Sequence, residues 1–210
     1  MKHISAIGGS LLLLSGMASA QVLPLPGGPA VGPAIPPPAM AVPRPGAGTQ
    51  RREELNQLLD ALAQAPDEAA AAPIQARIQA LWAEGGTPTV GLLLRKGLQN
   101  LAANAVGEAV EDLDAAITLQ PDFPESWVLR AQALAASGDR RAAAADLREA
   151  LRLEPRHFGA LLALSDLQED AGDFAGALRS LDAALRIHPR LSGGAQKRRE
   201  LRRRALGDAT

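Results

Sequence analysis

Apolar residues recur at three- and four-residue spacing in two stretches upstream of the middle of the chain: Leu55, Leu58, Leu59, Leu62, then Ile74, Ile78, Leu81, Trp82. That spacing puts each set on one face of a helix, so residues 51–86 are predicted to form a helical hairpin closed by Gly85-Gly86-Thr87-Pro88. Asp67 can cap the second helix, or Pro73 can open it. From Val90 the pattern becomes strict, and it returns every 34 residues. Pro121, Pro155 and Pro189 close three consecutive blocks. Before them stand Ala116-Ile117-x-Leu119, Ala150-Leu151-x-Leu153 and Ala184-Leu185-x-Ile187. Ala109, Ala143 and Ala177 share a column, as do Leu113, Leu147 and Leu181. Gly97, Ala131 and Ser165 align four residues after Leu93, Trp127 and Leu161.

Each column has a physical role. Proline has no amide donor and ends the second helix of a block. Gly138 and Gly172, with Asn104 in the first block, suit the left-handed residue that ends the first helix; Asp139 and Asp173 can cap the next helix start. Small residues let the paired helices approach, and Leu113 with its equivalents fills the space between them. Asp122 and Glu125 have capping-box spacing ahead of the second block.

On Trp127-x-x-x-Ala131-x-x-Leu134, Ala143, Leu147, Ala150 and Pro155, repeated in register from 90 to 189, the chain resembles a tetratricopeptide-repeat (TPR) protein. The resemblance implies an all-α, right-handed superhelical solenoid of antiparallel hairpins, with repeats at 90–123, 124–157 and 158–191. Residues 51–86 would be a divergent N-terminal cap, anchored by Trp82, and 192–210 a basic capping helix and tail. Asn100 and Gln168 depart from the pattern where the middle repeat has Leu134, which predicts looser outer repeats.

The resemblance also implies a concave groove lined by the first helix of each repeat. Its positions are Leu94, Leu98 and Leu101, then Glu125, Val128, Gln132 and Ala135, then Leu162, Asp166, Glu169 and Asp170. Such a groove runs from apolar to acidic and fits an extended peptide or partner helix with an apolar segment followed by a basic one. Leu94 and Leu98 have a second reading, packing against the N-terminal hairpin. The Lys, Asn and Arg that clamp a C-terminal carboxylate in some TPR domains are absent: the matching positions read Leu94, Leu98, Leu129, Gly159 and Ala163.

Composition narrows the rest. Ala and Leu dominate, and the aromatics are three Phe and two Trp with no Tyr, so the core is built from small residues and helix formers. A formal net charge of −1 argues against a general nucleic-acid binder. With no Cys there is no disulfide, thiolate zinc site or thiol nucleophile. His157 and His188 sit at inter-repeat turns without a carboxylate at ligand spacing, and no nucleophile or zinc-protease motif occurs. No catalytic residue, metal or cofactor is therefore expected.

Residues 1–20 read as an export signal: Lys2 and His3, an apolar run around Leu11–Leu14, then Ala18-Ser19-Ala20. A periplasmic or secreted protein follows. The Pro/Gly/Ala-rich arm at 21–50 is expected to be extended: a spacer, a ligand for an aromatic groove, or a segment that folds back on the chain's own groove. The basic tail either caps the stack or makes a weak contact with an anionic membrane surface or an acidic partner. Two functions follow: a non-catalytic scaffold that binds a protein or peptide in the cell envelope, or a self-associating tether using the arm or tail. Oligomeric state stays open.

Overall fold

Nine α-helices and no strand make up the described residues, 46–207, of the computed structural model. The export signal expected at 1–20 and nearly all of the proline-rich arm lie outside those residues. The helices are α1 (Ala47–Ala63), α2 (Glu68–Ala83), α3 (Pro88–Ala102), α4 (Val106–Leu119), α5 (Pro124–Ala136), α6 (Arg140–Leu153), α7 (Phe158–Asp170), α8 (Phe174–Ile187) and α9 (Gly194–Leu206). Helices pair as α3/α4, α5/α6 and α7/α8, and successive pairs join through α4/α5 and α6/α7, with α9 packed on α8. The architecture is an all-α solenoid of hairpins.

The repeat columns become the interiors of the hairpins. Ala109, Ala143 and Ala177 are fully buried, and Leu113, Leu147 and Leu181 are at most 1% exposed. At Gly97 the close approach is literal: a Cβ there would lie 2.9 Å from Leu113 Cγ. Ser165, in the same column, instead donates from Oγ to the Ala177 carbonyl at 2.9 Å. Asn104, Gly138 and Gly172 have φ of 59°, 90° and 77°, the left-handed turn expected of them. Asp139 and Asp173 accept from Ala142 N and Gly176 N, so both act as N-caps.

Polar substitutions inside the outer repeats are matched across the hairpin. Asn100 donates to Asp112 at 2.8 Å, and the Gln168 amide and Ser180 Oγ lie 2.6 Å apart. With its amide nitrogen turned inward, Gln168 also reaches the Leu164 and Gly176 carbonyls, each at 3.2 Å. The expected looseness is therefore offset by hydrogen bonds that Leu134 has no need of. Arg130 reaches the buried Asp146 with two 2.7 Å contacts, one repeat after Lys96 pairs with Asp112 at the same spacing.

One local expectation is corrected and one alternative is decided. Asp122 and Glu125 form no capping box: the N-cap of α5 is Phe123, without a side-chain bond. Phe123 is buried against the first repeat, which sets the chain's entry into α5, and Glu125 turns to His157. For α2 the cap is Asp67, which accepts from Ala70 N, and Pro73 lies inside the helix within its second turn.

The larger correction concerns α1 and α2. They form a hairpin, but it does not cap the first repeat. Leu59, Leu62, Ala65, Ile78 and Trp82 share a core cluster with Phe158 and Ala184, bordered by Leu161, Leu162 and Ile187. The hairpin lies against α7 and α8, with α2 also touching α5. Polar contacts fasten it there: Arg156 to Asp60 at 2.7 Å, His188 to Gln75 at 2.9 Å, and Arg190 to the Ala65 carbonyl at 3.1 Å. Burying each large apolar side chain is worth about 1.5–3 kcal/mol, so the apolar cluster outweighs the exposed Arg156–Asp60 pair.

Candidate partner-binding groove

The first helices of the second and third repeats, α5 and α7, diverge to leave a cavity of about 210 Å³. Its wall and floor are apolar: Ala131, Ala135, Ala163 and Leu167, with Leu147 of α6 beneath. Gln132, Asp166 and Asp170 supply its polar lining. Four of the positions predicted for the groove, Gln132, Ala135, Asp166 and Asp170, thus line one cavity. Small side chains make the space, because alanine facing alanine across the two helices leaves the volume of larger residues empty.

The remaining predicted positions divide among other tasks. Leu94 is buried within the first repeat's core and Leu101 packs on that core, while Leu98 is 44% exposed. Neither Leu94 nor Leu98 meets the N-terminal hairpin, whose cluster lies on α7 and α8. Leu162 packs between that cluster and the one beneath α9. Glu125, Val128 and Gln132 border a second, smaller cavity of about 160 Å³, shared with Gln79 and Trp82 of α2 and with His157.

The acidic end is internally paired. Lys197 of α9 bridges Asp166 and Glu169, and Arg204 reaches Glu169 at 3.0 Å. Asp170 lies 3.9 Å from Arg140, with both side chains more than half exposed. Asp166 remains well exposed despite its partner, so it still presents charge to the cavity mouth. The basic partners of this acidic stretch lie on α9, 31 and 35 residues further along the chain, and sequence spacing carries no signal for them.

His157 is held as a structural residue. Its Nδ1 accepts from Ala160 N at 3.0 Å, capping α7, and its Nε2 faces Glu125 at 3.1 Å. A ring whose Nδ1 accepts carries its proton on Nε2, which then donates to Glu125. Trp127 is structural too: its Nε1 donates to the Pro121 carbonyl at 2.9 Å, and Arg130 lies over its ring. Among the described residues, no three His, Cys, Asp or Glu side chains cluster in a way that could hold a metal ion.

A stack of hairpins with an open cavity between its inner helices defines a helical-repeat fold. Residues 124–157 match the tetratricopeptide repeat family. A TPR repeat-containing protein of Rhizobium etli is 35% identical over 92 residues, covering 44% of this chain and 45% of the relative, so the match spans less than half of that protein. Three solved structures are similar in fold. The first TPR of Spaghetti (RPAP3) bound to an HSP90 peptide has a TM-score of 0.54 and 16% identity, covering 57% of this chain and 94% of that one. The TPR2B domain of yeast Sti1, in a complex with an Hsp70 peptide, has 0.51 and 23%, covering 57% and 98%. The Yersinia enterocolitica type III secretion chaperone SycD, with a peptide of the translocator YopD, has 0.50 and 11%, covering 59% and 94%. Tetratricopeptide repeats are a protein-interaction fold and typically not an enzymatic one.

Proposed function

We propose that this chain is a non-catalytic scaffold of the cell envelope that binds a polypeptide in the cavity between α5 and α7. The observation that carries the reading is that cavity itself: an apolar floor of alanine and leucine beside Gln132, Asp166 and Asp170. The chemistry selects a small or medium apolar side chain as anchor, with a Lys or Arg next to it that meets the two aspartates. Peptide-bound structures of similar fold support a peptide ligand in general. They do not support a C-terminal carboxylate here, because the positions that would clamp it are Leu94, Leu98, Leu129, Gly159 and Ala163. Export rests on the signal-like residues 1–20.

A peptide array scanned with the purified protein tests this. Apolar residues followed by Lys or Arg should be retained, and Asp166→Lys with Asp170→Lys should reverse the preference. Ala163→Trp should fill the cavity and abolish binding while thermal unfolding stays cooperative. Retention indifferent to all three changes would sink the groove reading.

A second reading, self-association, is favoured by one observation. The α1/α2 hairpin is joined through Gly85-Gly86 but docks chiefly on α7 and α8, so the same surface of a second copy could receive it. A stable dimer in solution that falls to monomer when Trp82 is replaced supports that alternative.

A further inference from the structure

Helix α9 carries Lys197, Arg198, Arg199, Arg202, Arg203 and Arg204 against Glu200, a net +5, in a chain whose formal total is −1. Everything else therefore sums to −6, and the charge of the molecule is strongly polarised towards one end helix. Within α9 the cations divide into two sets. Lys197 and Arg204 turn inward onto Asp166 and Glu169, on either side of the fully buried Leu201. Arg198, Arg199, Arg202 and Arg203 are exposed and have no carboxylate partner among the described residues.

At about 100° per residue, those four arginines spread over a sector of roughly 140° on the helix. Ala195 and Leu206 fall in the middle of that sector, and both are exposed, Leu206 at 80%. The outer side of α9 is thus an arginine face with one exposed apolar side chain near each end. On one flank Arg198 and Arg202 meet Arg186 of α8 around a cleft of about 260 Å³ whose one carboxylate is Asp182. On the other, Arg199, Arg202 and Arg203 line a depression of about 510 Å³ with Leu206, Gln196 and Glu200, the last of these paired with Arg204.

We propose that this outer face of α9 docks on anionic phospholipid headgroups and seats the solenoid on a membrane by its C-terminal end. Guanidinium groups donate in a planar fork that matches phosphate oxygens. Four arginines spread along one helix face, with Leu206 exposed at its end, let α9 lie along a headgroup layer, the arginines reaching the phosphates and the leucine entering the acyl boundary. A soluble acidic peptide would satisfy the arginines and leave Leu206 in water. Among the described residues no helix is long and apolar enough to cross a membrane, so the contact is peripheral.

Sedimentation of the full chain with vesicles tests the proposal: phosphatidylcholine alone, and phosphatidylcholine mixed equally with phosphatidylglycerol. Binding should require phosphatidylglycerol and weaken with salt. Arg198→Gln with Arg202→Gln should lower the affinity roughly thirtyfold, about fivefold for each arginine. Leu206→Ser should lower it further, and Lys197→Gln should leave it unchanged, since that side chain is turned inward. Binding to both vesicle types alike, to neither, or undiminished in the double arginine variant overturns the proposal. So does capture of a soluble polyglutamate by a chain that ignores the vesicles, an outcome that would assign the patch to an acidic protein. Circular dichroism of each variant separates lost folding from lost docking, and none of these outcomes bears on the peptide cavity.

Discussion

Trp82 of α2 stacks on His157 at the start of α7, with ring centroids 3.9 Å apart and planes within 11°. The same indole lies 5.1 Å from the ring of Phe158, whose edge contacts His188 at 5.5 Å. This aromatic cluster is where the N-terminal hairpin is fastened to the last complete repeat. Trp82→Ala should cost about 3–5 kcal/mol, the range for emptying a buried aromatic site. The loss should fall on the hairpin first. Limited proteolysis should then cut within residues 64–67 or 84–87 while α3 to α8 stay protected; uniform protection would refute the anchoring role.

Acid should loosen the same junction through His188. Its ring is buried, Nε2 faces Gln75, and Nδ1 is buried with no partner. Burial holds its pKa below the usual 6.5, against a smaller opposing pull from Glu68. The unfolded chain therefore binds the proton more readily than the folded one. Stability from this group is complete above about pH 6.5 and is lost as pH falls towards the folded-state pKa. The urea midpoint should drop between about pH 7.5 and about pH 5.5. His188→Gln should flatten that dependence.

Arg130 ties the second repeat to the first, pairing with Asp146 on α6 and with Asp114 on α4. Its pKa is raised, chiefly by the hydrogen bond to Asp146. Arg130→Met leaves Asp146, 5% exposed, without its cation. A loss of about 1.5–3 kcal/mol is expected, the range for hydrogen bonds to charged groups. Arg130→Met combined with Asp146→Leu should recover part of it, because no buried charge is then left alone. Chemical denaturation of the single and double variants measures the difference.

The inward cations of α9 compete with any basic ligand of the acidic groove. Lys197→Ala with Arg204→Ala removes exposed or half-exposed pairs, so stability should fall by no more than about 1 kcal/mol for each. Affinity for a Lys- or Arg-containing peptide should rise several-fold, as Asp166 and Glu169 lose their internal partners. Fluorescence anisotropy with a labelled peptide reads this directly, and a weaker complex would show that α9 helps to build the site.

Much of the repeat was legible because its determinants are local. Ala109, Leu113 and Ala116 sit on one helical stripe, and Leu113 meets Gly97 across a short turn, so a fixed period of 34 reproduces the hairpin wherever it recurs. The caps were legible for the same reason: Gly138 with Asp139 and Gly172 with Asp173 satisfy helix ends within a few residues. Of the groove positions that the resemblance implies, Gln132, Ala135, Asp166 and Asp170 line one cavity, whereas Leu94 and Leu101 went to the core. A helical face reads the same in sequence whether solvent or a neighbouring side chain covers it.

The sequence alone determined an all-α chain of three hairpins in register, since spacing, small-residue columns and turn chemistry act over a few residues each. Only the tertiary structure decided where the two flanking pieces go. The α1/α2 hairpin has an apolar stripe but no repeat register, and its partners Phe158 and Ala184 lie many helical turns further along the chain. Likewise, the charges of α9 could meet Asp166 and Glu169 only once α8 had set the distance between them. Apolar burial and Coulomb attraction are non-local in sequence and carry no periodic signature, so their outcome is fixed by which surfaces the stacked repeats leave uncovered.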